Sequence, residues 1–405
     1  MKALVITTTP PDATTENQTG STNWTLRLLR LLDRHHEITL LAPPPFADPF
    51  LKKAEFSQIE CPPDDRSNKC SRFIKSLRWG IYPSMWHQRS SKIDAYLSQA
   101  KNGSFDVCWL LDDYAGMYLR ELPKELPVVF CRHFVLNMGL PEKSPELGLI
   151  SALKLKWRKR VAKAFDRWTT QWSSITITGT KESRKNLLAF EPHANVIYFP
   201  TKSNRLPQPV PRATIESSTR KDGRITAVFL GDMTFPRNEE AIQWLVEEVL
   251  PTLDPKQRAA FHFKLIGRKN ESFHPTPPSE CSIEFTGFVK DLTSTIAEAQ
   301  CAVIPVWGGN GVRIKTLTLL GSGLPAVSTL DGVEGLPVKS NRDVIIANTI
   351  PEFADGLKRI LEKETRKKLW KSSKQTMSDF LSDNDDAERI YEISREALTG
   401  NGKQG

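Results

Sequence analysis

The residues with the most evident chemistry lie in "GGNGVRIKTLTLLGSGLPAVST", residues 308–329. Gly308, Gly309 and Gly311 let backbone N–H groups approach an anion without interference from a Cβ. The helix expected to start near Val312 adds unpaired amides and the positive end of its dipole. Arg313 and Lys315 bring mobile positive charge beside them. Together they describe a cradle for a diphosphate. The plainer alternative is a loop that only turns the chain, followed by two solvated cations. The stretch fits neither G-x-x-x-x-G-K-[ST] nor G-x-G-x-x-G, so kinase-like and dinucleotide chemistry lose weight.

Elsewhere chemistry is sparser. His133 ends the apolar run "LPVVFC" and reads from the sequence alone as a core histidine held by one hydrogen bond. "DD" at 112–113 and "DNDD" at 383–386 lack the spacing and the neighbouring histidine of a metal shell, so they read as a strand-end acidic pair and a helix start; no metal and no cofactor are expected. The six cysteines show no Cys-x-x-Cys spacing and read as small buried hydrophobes. Between Lys154 and Arg167 seven basic residues face one acid, while Leu153, Trp157, Val161, Ala164, Phe165 and Trp168 recur at helical spacing. Such a helix is either packed against a core with a solvated basic face or docked on an anionic membrane surface.

The elements that must carry these residues alternate in type. In the first half "KALVIT" (2–7), "EITLLA" (37–42), "FDVCWLL" (105–111), "LPVVFC" (126–131), "SSITIT" (173–178) and "NVIYF" (195–199) are strand-like runs separated by helical stretches, including 23–35, 151–172 and 181–189. A second alternation begins at Arg224 with "RITAVFLG" (224–231), "FHFKLIG" (261–267), "SIEFTG" (282–287), "CAVIPV" (301–306), "PAVST" (325–329) and "DVIIA" (343–347). Continuous Val, Ile and Leu runs between helices imply parallel strands covered on both faces.

The expectation is an α/β protein of two Rossmann-like, doubly wound domains facing across a cleft. The first is 1–200 and the second 224–380, with a Pro-, Ser- and Arg-rich linker at 201–223. A helix over 381–398 returns to the first domain, and 399–405 forms a disordered tail. Ligands of such sheets bind beyond the carboxyl ends of the strands.

At 405 residues, with 39% hydrophobic and 25% charged residues, the composition is that of a globular protein. No apolar stretch approaches the ~18 residues of a membrane span, so the expected location is cytoplasmic or peripheral at the inner face of the membrane. A net charge of +9 favours polyanionic partners. Nucleic acid is not expected, because the chain has no basic and aromatic surface motif.

The segments "FLGDMTFPRNEEAIQWLVEEVLP", "FKLIGRKN", "IEFTGFVKDL" and "CAVIPVWGGNGVRIKTLTLLGSGLPAVSTLDGVEGL", between Phe229 and Leu336, resemble the donor-binding domain of GT-B retaining glycosyltransferases of family 4. In the first half 20–43 and 156–188 resemble the corresponding glycine loop, helices and strands.

The resemblance implies transfer of a sugar from a nucleotide-diphosphate donor to a glycan or lipid-linked acceptor, with retained configuration, without a metal, and serving a surface or extracellular glycan. It implies that Arg313 and Lys315 meet the leaving diphosphate, with Gly309, Gly311 and Val312 in the same loop. Gly231 ends the first strand of that domain, and Arg237 stands where many members have a phosphate-binding lysine. Gly267 and Arg268 lie beside the base or ribose, Gly20 and Ser21 approach the sugar or phosphate, and His133 lies near the transferred sugar. Glu334 in "GVEGL" matches an acid without an assigned role.

Two glutamates usual in the family are replaced by Asn310 and Thr318. Losing a carboxylate that holds two hydroxyls costs ~1.5–3 kcal/mol. Asp232 places an acid where many members have arginine. These departures keep in view a weakened or inactive nucleotide-sugar-binding protein, and the same two-domain plan also leaves a nucleotide-sugar epimerase as an alternative.

Overall fold

The computed structural model describes residues 1–12, 20–64, 76, 83–100, 103–133, 135–136, 149–202, 209–216, 222–308, 312–382 and 385–400. The chain divides into two units, Met1–Thr201 with Asp383–Gly405, and Lys202–Ser382.

In the first unit β1 (Lys2–Ile6), β2 (Glu37–Ala42), β3 (Ser57–Glu60), β4 (Val107–Leu110), β5 (Val128–Arg132), β6 (Ile175–Thr178) and β7 (Val196–Tyr198) form one parallel sheet in the order β3-β2-β1-β4-β5-β6-β7. Every residue of β4, β5 and β6 is buried, as expected of strands covered on both faces. One face packs Trp24, Leu28 and Leu29 of the helix Gly20–Leu32 over Val5, Leu40 and Trp109. The other packs Phe165, Met117 and Tyr118 over Leu4, Cys108 and Phe130. Strand order reverses between β1 and β4, so the loops after Ile6 and Leu110 frame a crevice at the carboxyl ends.

In the second unit β8 (Ile225–Leu230), β9 (Phe261–Ile266), β10 (Ser282–Gly287), β11 (Cys301–Ile304), β12 (Ala326–Ser328) and β13 (Ile345–Ile346) make a parallel sheet in the order β10-β9-β8-β11-β12-β13. The same reversal falls between β8 and β11. The helix Ile350–Leu361 begins with a capping box between Thr349 and Glu352, and buries Phe353, Leu357 and Ile360. Two Rossmann-like α/β units are the fold.

Three readings of the sequence need correction. The expected linker 201–223 is in part built into a unit: Lys202 begins the second unit, and Val210 and Ile215 are fully buried in its core, while 203–208 and 217–221 lie outside the described residues. The Val210 amide donates to the Ser322 carbonyl at 2.8 Å, and the Arg366 Nε donates to the Ile215 carbonyl at 2.8 Å. Isolated apolar residues between prolines carry no period, so nothing in the pattern marked them.

The edge strand β3 was absent from the reading because "SQIE" is polar and half-exposed. The third correction concerns the basic helix, Leu149–Trp172. Its inward face is Ala162, Phe165, Asp166 and Thr169, while Leu153 is 58% exposed and Ala164 is exposed. Polar Asp166 and Thr169 occupy the core-facing side of the last turns, which shifts the buried stripe from the apolar count.

The last helix, Asp386–Thr399, packs on the first unit through Ala387, Ile390, Ile393 and Ala397. Ser394 Oγ lies 2.9 Å from His36 Nε2 and accepts from Trp109 Nε1 at 3.1 Å, and Asp386 pairs with buried Arg27. Of the expected tail, 399–405, Thr399 ends this helix and Gly400 caps it, and 401–405 fall outside the described residues. No helix among the described residues is long and apolar enough to cross a membrane.

Candidate functional site

The second unit gathers its basic residues at the carboxyl ends of β8, β9 and β11. Gly308 has φ +62, a left-handed conformation that favours glycine, and a Cβ built on it would lie 4.0 Å from the Arg237 guanidinium carbon. Its amide donates to Asp331 Oδ2 at 2.7 Å. Gly309, Asn310 and Gly311 lie outside the described residues, and Val312 follows them half-buried.

Arg313 directly precedes the helix Ile314–Gly321, and its Nε donates to the Asp331 carbonyl at 3.3 Å. Its Nη2 is buried without a hydrogen-bond partner among the described residues. Burial pulls the guanidinium below its usual value; Glu334 and Asp331 oppose this and Arg237 adds to it.

Lys315, on the first turn, donates to Asn238 Oδ1 at 2.5 Å and sits 5.1 Å from the Phe229 ring centroid. Burial, and then the charge of Arg313, lower its ammonium to about 7. No carboxylate stands within ion-pair distance of Lys315 among the described residues. Asp331 and Glu334 answer Arg313 in part, while Lys315 has no such acid beside it, which favours an anionic ligand at Lys315.

The glycines at the strand ends have steric reasons. Gly267 has φ +136, and a Cβ there would approach the Gly231 carbonyl oxygen to 2.0 Å. A Cβ at Gly231 would lie 3.0 Å from the Phe229 ring and 3.3 Å from Asn238. Loops after β8 and β9 therefore touch through backbone.

Asp232 is not a loose acid beside this site. Its Oδ1 accepts the Thr234 amide at 3.0 Å and hydroxyl at 2.7 Å, and its Oδ2 is paired with Arg268. Burial acts to raise this carboxyl, but the Thr234 donors and Arg268 outweigh it and hold it below the ordinary range.

Thr318 lies one turn into the helix Ile314–Gly321. Its hydroxyl donates to the Ile314 carbonyl one turn back at 2.7 Å, and the residue is 6% exposed. The sequence placed it with the donor-binding residues; the helix has drawn its proton inward. Acids near Arg313 come instead from Asp331 and Glu334, on the segment after β12. Asp331 and Asn238 were missed by sequence reasoning, although Asn238 adjoins Arg237 and Asp331 opens "DGVEGL".

The first unit places His133 at the end of β5, away from bulk water. Its amide donates to Asp113 Oδ2 at 3.0 Å, its Nδ1 lies 3.9 Å from the same oxygen, and Nε2 is buried with no hydrogen-bond partner among the described residues. Burial lowers its imidazole to about 4, with Asp112 opposing. At neutral pH it is an uncharged ring. Gly20 and Ser21 open the helix Gly20–Leu32; the side chain of Ser21 lies outside the description. Among the described residues no group of three His, Cys, Asp or Glu could hold a metal ion.

Residues 224–363 match the family described as "Glycosyl transferases group 1". No curated protein sequence matches the chain. Among solved structures, sucrose-phosphate synthase from Thermosynechococcus elongatus is similar, with a TM-score of 0.67 at 12% identity over 98% of this chain and 99% of that one. HepE of Anabaena, solved in complex with UDP-glucose, has a TM-score of 0.58 at 11% identity, covering 98% and 99%. A glycosyltransferase from Rickettsia africae gives 0.59 at 11% identity, covering 99% of each chain. These likenesses show the GT-B fold, and the family match lies within the second unit.

Proposed function

We propose that the chain is a retaining glycosyltransferase that moves a sugar from a nucleotide-diphosphate donor to a glycan or lipid-linked acceptor. The single observation that carries this reading is the group of Arg237 beside left-handed Gly308 with Arg313 and Lys315 at the following helix start, Arg313 Nη2 being buried without a partner among the described residues. As the glycosidic bond breaks, negative charge accumulates on the departing diphosphate. Fixed cations and loop amides in a poorly solvated site stabilise it without reorganising. Arg237 and Arg313 can each grip two phosphate oxygens, and Lys315 adds a point charge. The chain's own cations meet this demand, so no divalent ion is required for it.

His133, neutral and with a free Nε2, is the candidate to accept a hydrogen bond from a hydroxyl of the transferred sugar. Asn310 is proposed beside that sugar. In retention the leaving phosphate oxygen takes the acceptor proton, which removes the need for a separate general base. The comparison with a UDP-glucose complex supports a uridine donor as the first to try.

The outward-facing basic side of the helix Leu149–Trp172, with Lys154, Lys156, Arg158, Arg160 and Lys163 exposed beside Leu153, fits an anionic membrane surface that would present a lipid-linked acceptor. A thermal-shift panel of UDP, GDP and ADP with their sugars, on wild type and Arg313→Ala, tests the reading. A stabilising nucleotide lost in the variant supports it, and uniform silence in the wild type rejects it. The hydroxyl of Thr318, turned to its own helix, favours a second reading as a binding protein without turnover. A donor that binds yet yields no product with any acceptor would select that reading.

A further inference from the structure

The first unit holds a set of buried charges that the reading above does not use. Arg132 is fully buried at the end of β5; its Nη2 pairs with Asp166 of the helix Leu149–Trp172, and its Nε lies 3.5 Å from Asp113 Oδ1. Asp166 Oδ1 also accepts the Leu136 amide at 3.3 Å. Asp112 accepts from the Thr7 hydroxyl at 2.7 Å, the Thr8 amide at 2.6 Å, the Thr8 hydroxyl at 2.7 Å and the Ala115 amide at 2.9 Å.

The His133 amide is therefore held by Asp113, and the Leu136 amide, on its C-terminal side, by Asp166. Two carboxylates share this one buried guanidinium and Asp112 adds its charge beside Asp113, a costly arrangement for structure alone, since buried charges are expensive unless closely paired. Asp112 and Asp113 follow β4, at the point where the strand order reverses and open sheets bind ligands, and Arg132 and His133 end the neighbouring β5.

We propose that Asp113 is the positioning residue for His133: it fixes the backbone at the end of β5 and attracts the ring proton to Nδ1, so that Nε2 is left as the acceptor of a sugar hydroxyl. This rests on the proposed function for its catalytic consequence but not for its structural part. The present Nδ1 distance of 3.9 Å is outside hydrogen-bonding range, and a closure of about 1 Å brings it within.

Asp112, Asp166, Arg132, the His133 ring and the Cys131 thiol are the titratable groups around Asp113. Burial raises its carboxyl to about 7; Arg132 and the His133 amide oppose, while Asp112 and Asp166 add to the rise. Above that pH the carboxylate selects the Nδ1–H tautomer. Below it the protonated acid can donate to Nδ1 instead, and Nε2 then carries the proton.

The test is a nitrogen–proton correlation spectrum of the histidine rings in the full chain, across pH 5.5–8.5, for wild type and Asp113→Asn, with His133→Gln to assign the signal. The expected result is Nδ1–H at high pH in wild type, a shift toward Nε2–H on acidification, and no such shift in Asp113→Asn. An identical His133 tautomer at all pH values in both proteins overturns the proposal. This readout needs no turnover, so it separates the inference from the transferase reading. Where turnover is measured, Asp113→Asn lowers kcat by at least about tenfold with donor KM and nucleotide affinity little changed. The same change in a His133→Ala background adds no further loss. Additive losses in the two variants would contradict the coupling. Should Asp113→Asn fold poorly, the wild-type pH titration of the His133 tautomer decides alone.

Discussion

Asp232 and Arg268 are paired across the ends of β8 and β9, with the carboxylate Oδ2 3.1 Å from Nε and 2.5 Å from Nη2. The pairing explains how an acid can stand next to Gly231 in a site built for phosphate: its charge is answered by a guanidinium from the neighbouring strand end. Removing that guanidinium should therefore hurt twice, through the lost cation and through the exposed acid.

Arg268→Ala is expected to weaken nucleotide binding by about tenfold, which is ~1.4 kcal/mol. Asp232→Ala/Arg268→Ala should recover part of that loss. Calorimetric titration of both variants checks this, and a double variant no tighter than the single one counts against the pairing as the cause.

Lys315 carries a stability signature. Its folded-state ammonium lies near 7, against 10.5 for the ordinary side chain, because burial opposes its charge. Between those values the unfolded chain binds more protons than the folded one, so this residue makes stability rise with pH across roughly 7 to 10.5. Below pH 7 its destabilising effect is fully present. Lys315→Met should raise the thermal midpoint of the free protein near neutral pH while abolishing nucleotide binding. A lower midpoint in that variant would show that the ammonium is not strained in the free state. For the wild type, affinity should fall as pH rises above about 7, by up to about tenfold per pH unit, because the amine must gain its proton to hold phosphate.

Gly267→Ala tests the contact between the strand-end loops. The new methyl would meet the Gly231 carbonyl at a backbone angle that L-residues rarely adopt. A loss of about 2–3 kcal/mol in chemical denaturation of the second unit is expected. Gly103→Ala, also at positive φ but with open space around it, should cost less. Equal costs at the two positions would mean that φ alone, and not the Gly231 contact, is responsible.

The sheets were legible in the sequence because parallel strands buried on both faces become largely apolar runs, and β1, β4, β5, β8 and β11 are such runs, while β9 shows through its Phe, Leu and Ile despite His262 and Lys264. Polar β3 was not legible for the opposite reason. The phosphate-facing residues could be named because glycines and cations lie close together along the chain at 308–315. The Asp113, Arg132, His133 and Asp166 set could not, since its members come from three elements and only folding brings them together. The direction of the Thr318 hydroxyl was not legible either, because residue type alone does not say whether a hydroxyl points to a ligand or to its own helix.

The basic side of the helix Leu149–Trp172 gives a separate test. The chain should sediment with vesicles containing anionic lipid and remain in solution with neutral ones, each of the five outward cations contributing about 1 kcal/mol near the surface. Replacing Lys156, Arg160 and Lys163 by glutamate should abolish sedimentation without altering nucleotide affinity. Equal binding to both kinds of vesicle would reject an electrostatic contact.

The central claim is that Arg313, Lys315 and Arg237 hold a nucleotide diphosphate, and titration calorimetry of the whole protein with UDP and GDP tests it most directly. The account predicts binding of one nucleotide per chain by the wild type, reduced at least about 100-fold in Arg313→Ala, the loss of ~2.7 kcal/mol expected for a buried charge-assisted contact. Binding of equal strength in wild type and Arg313→Ala, or no binding of any nucleoside diphosphate by the wild type, would contradict it.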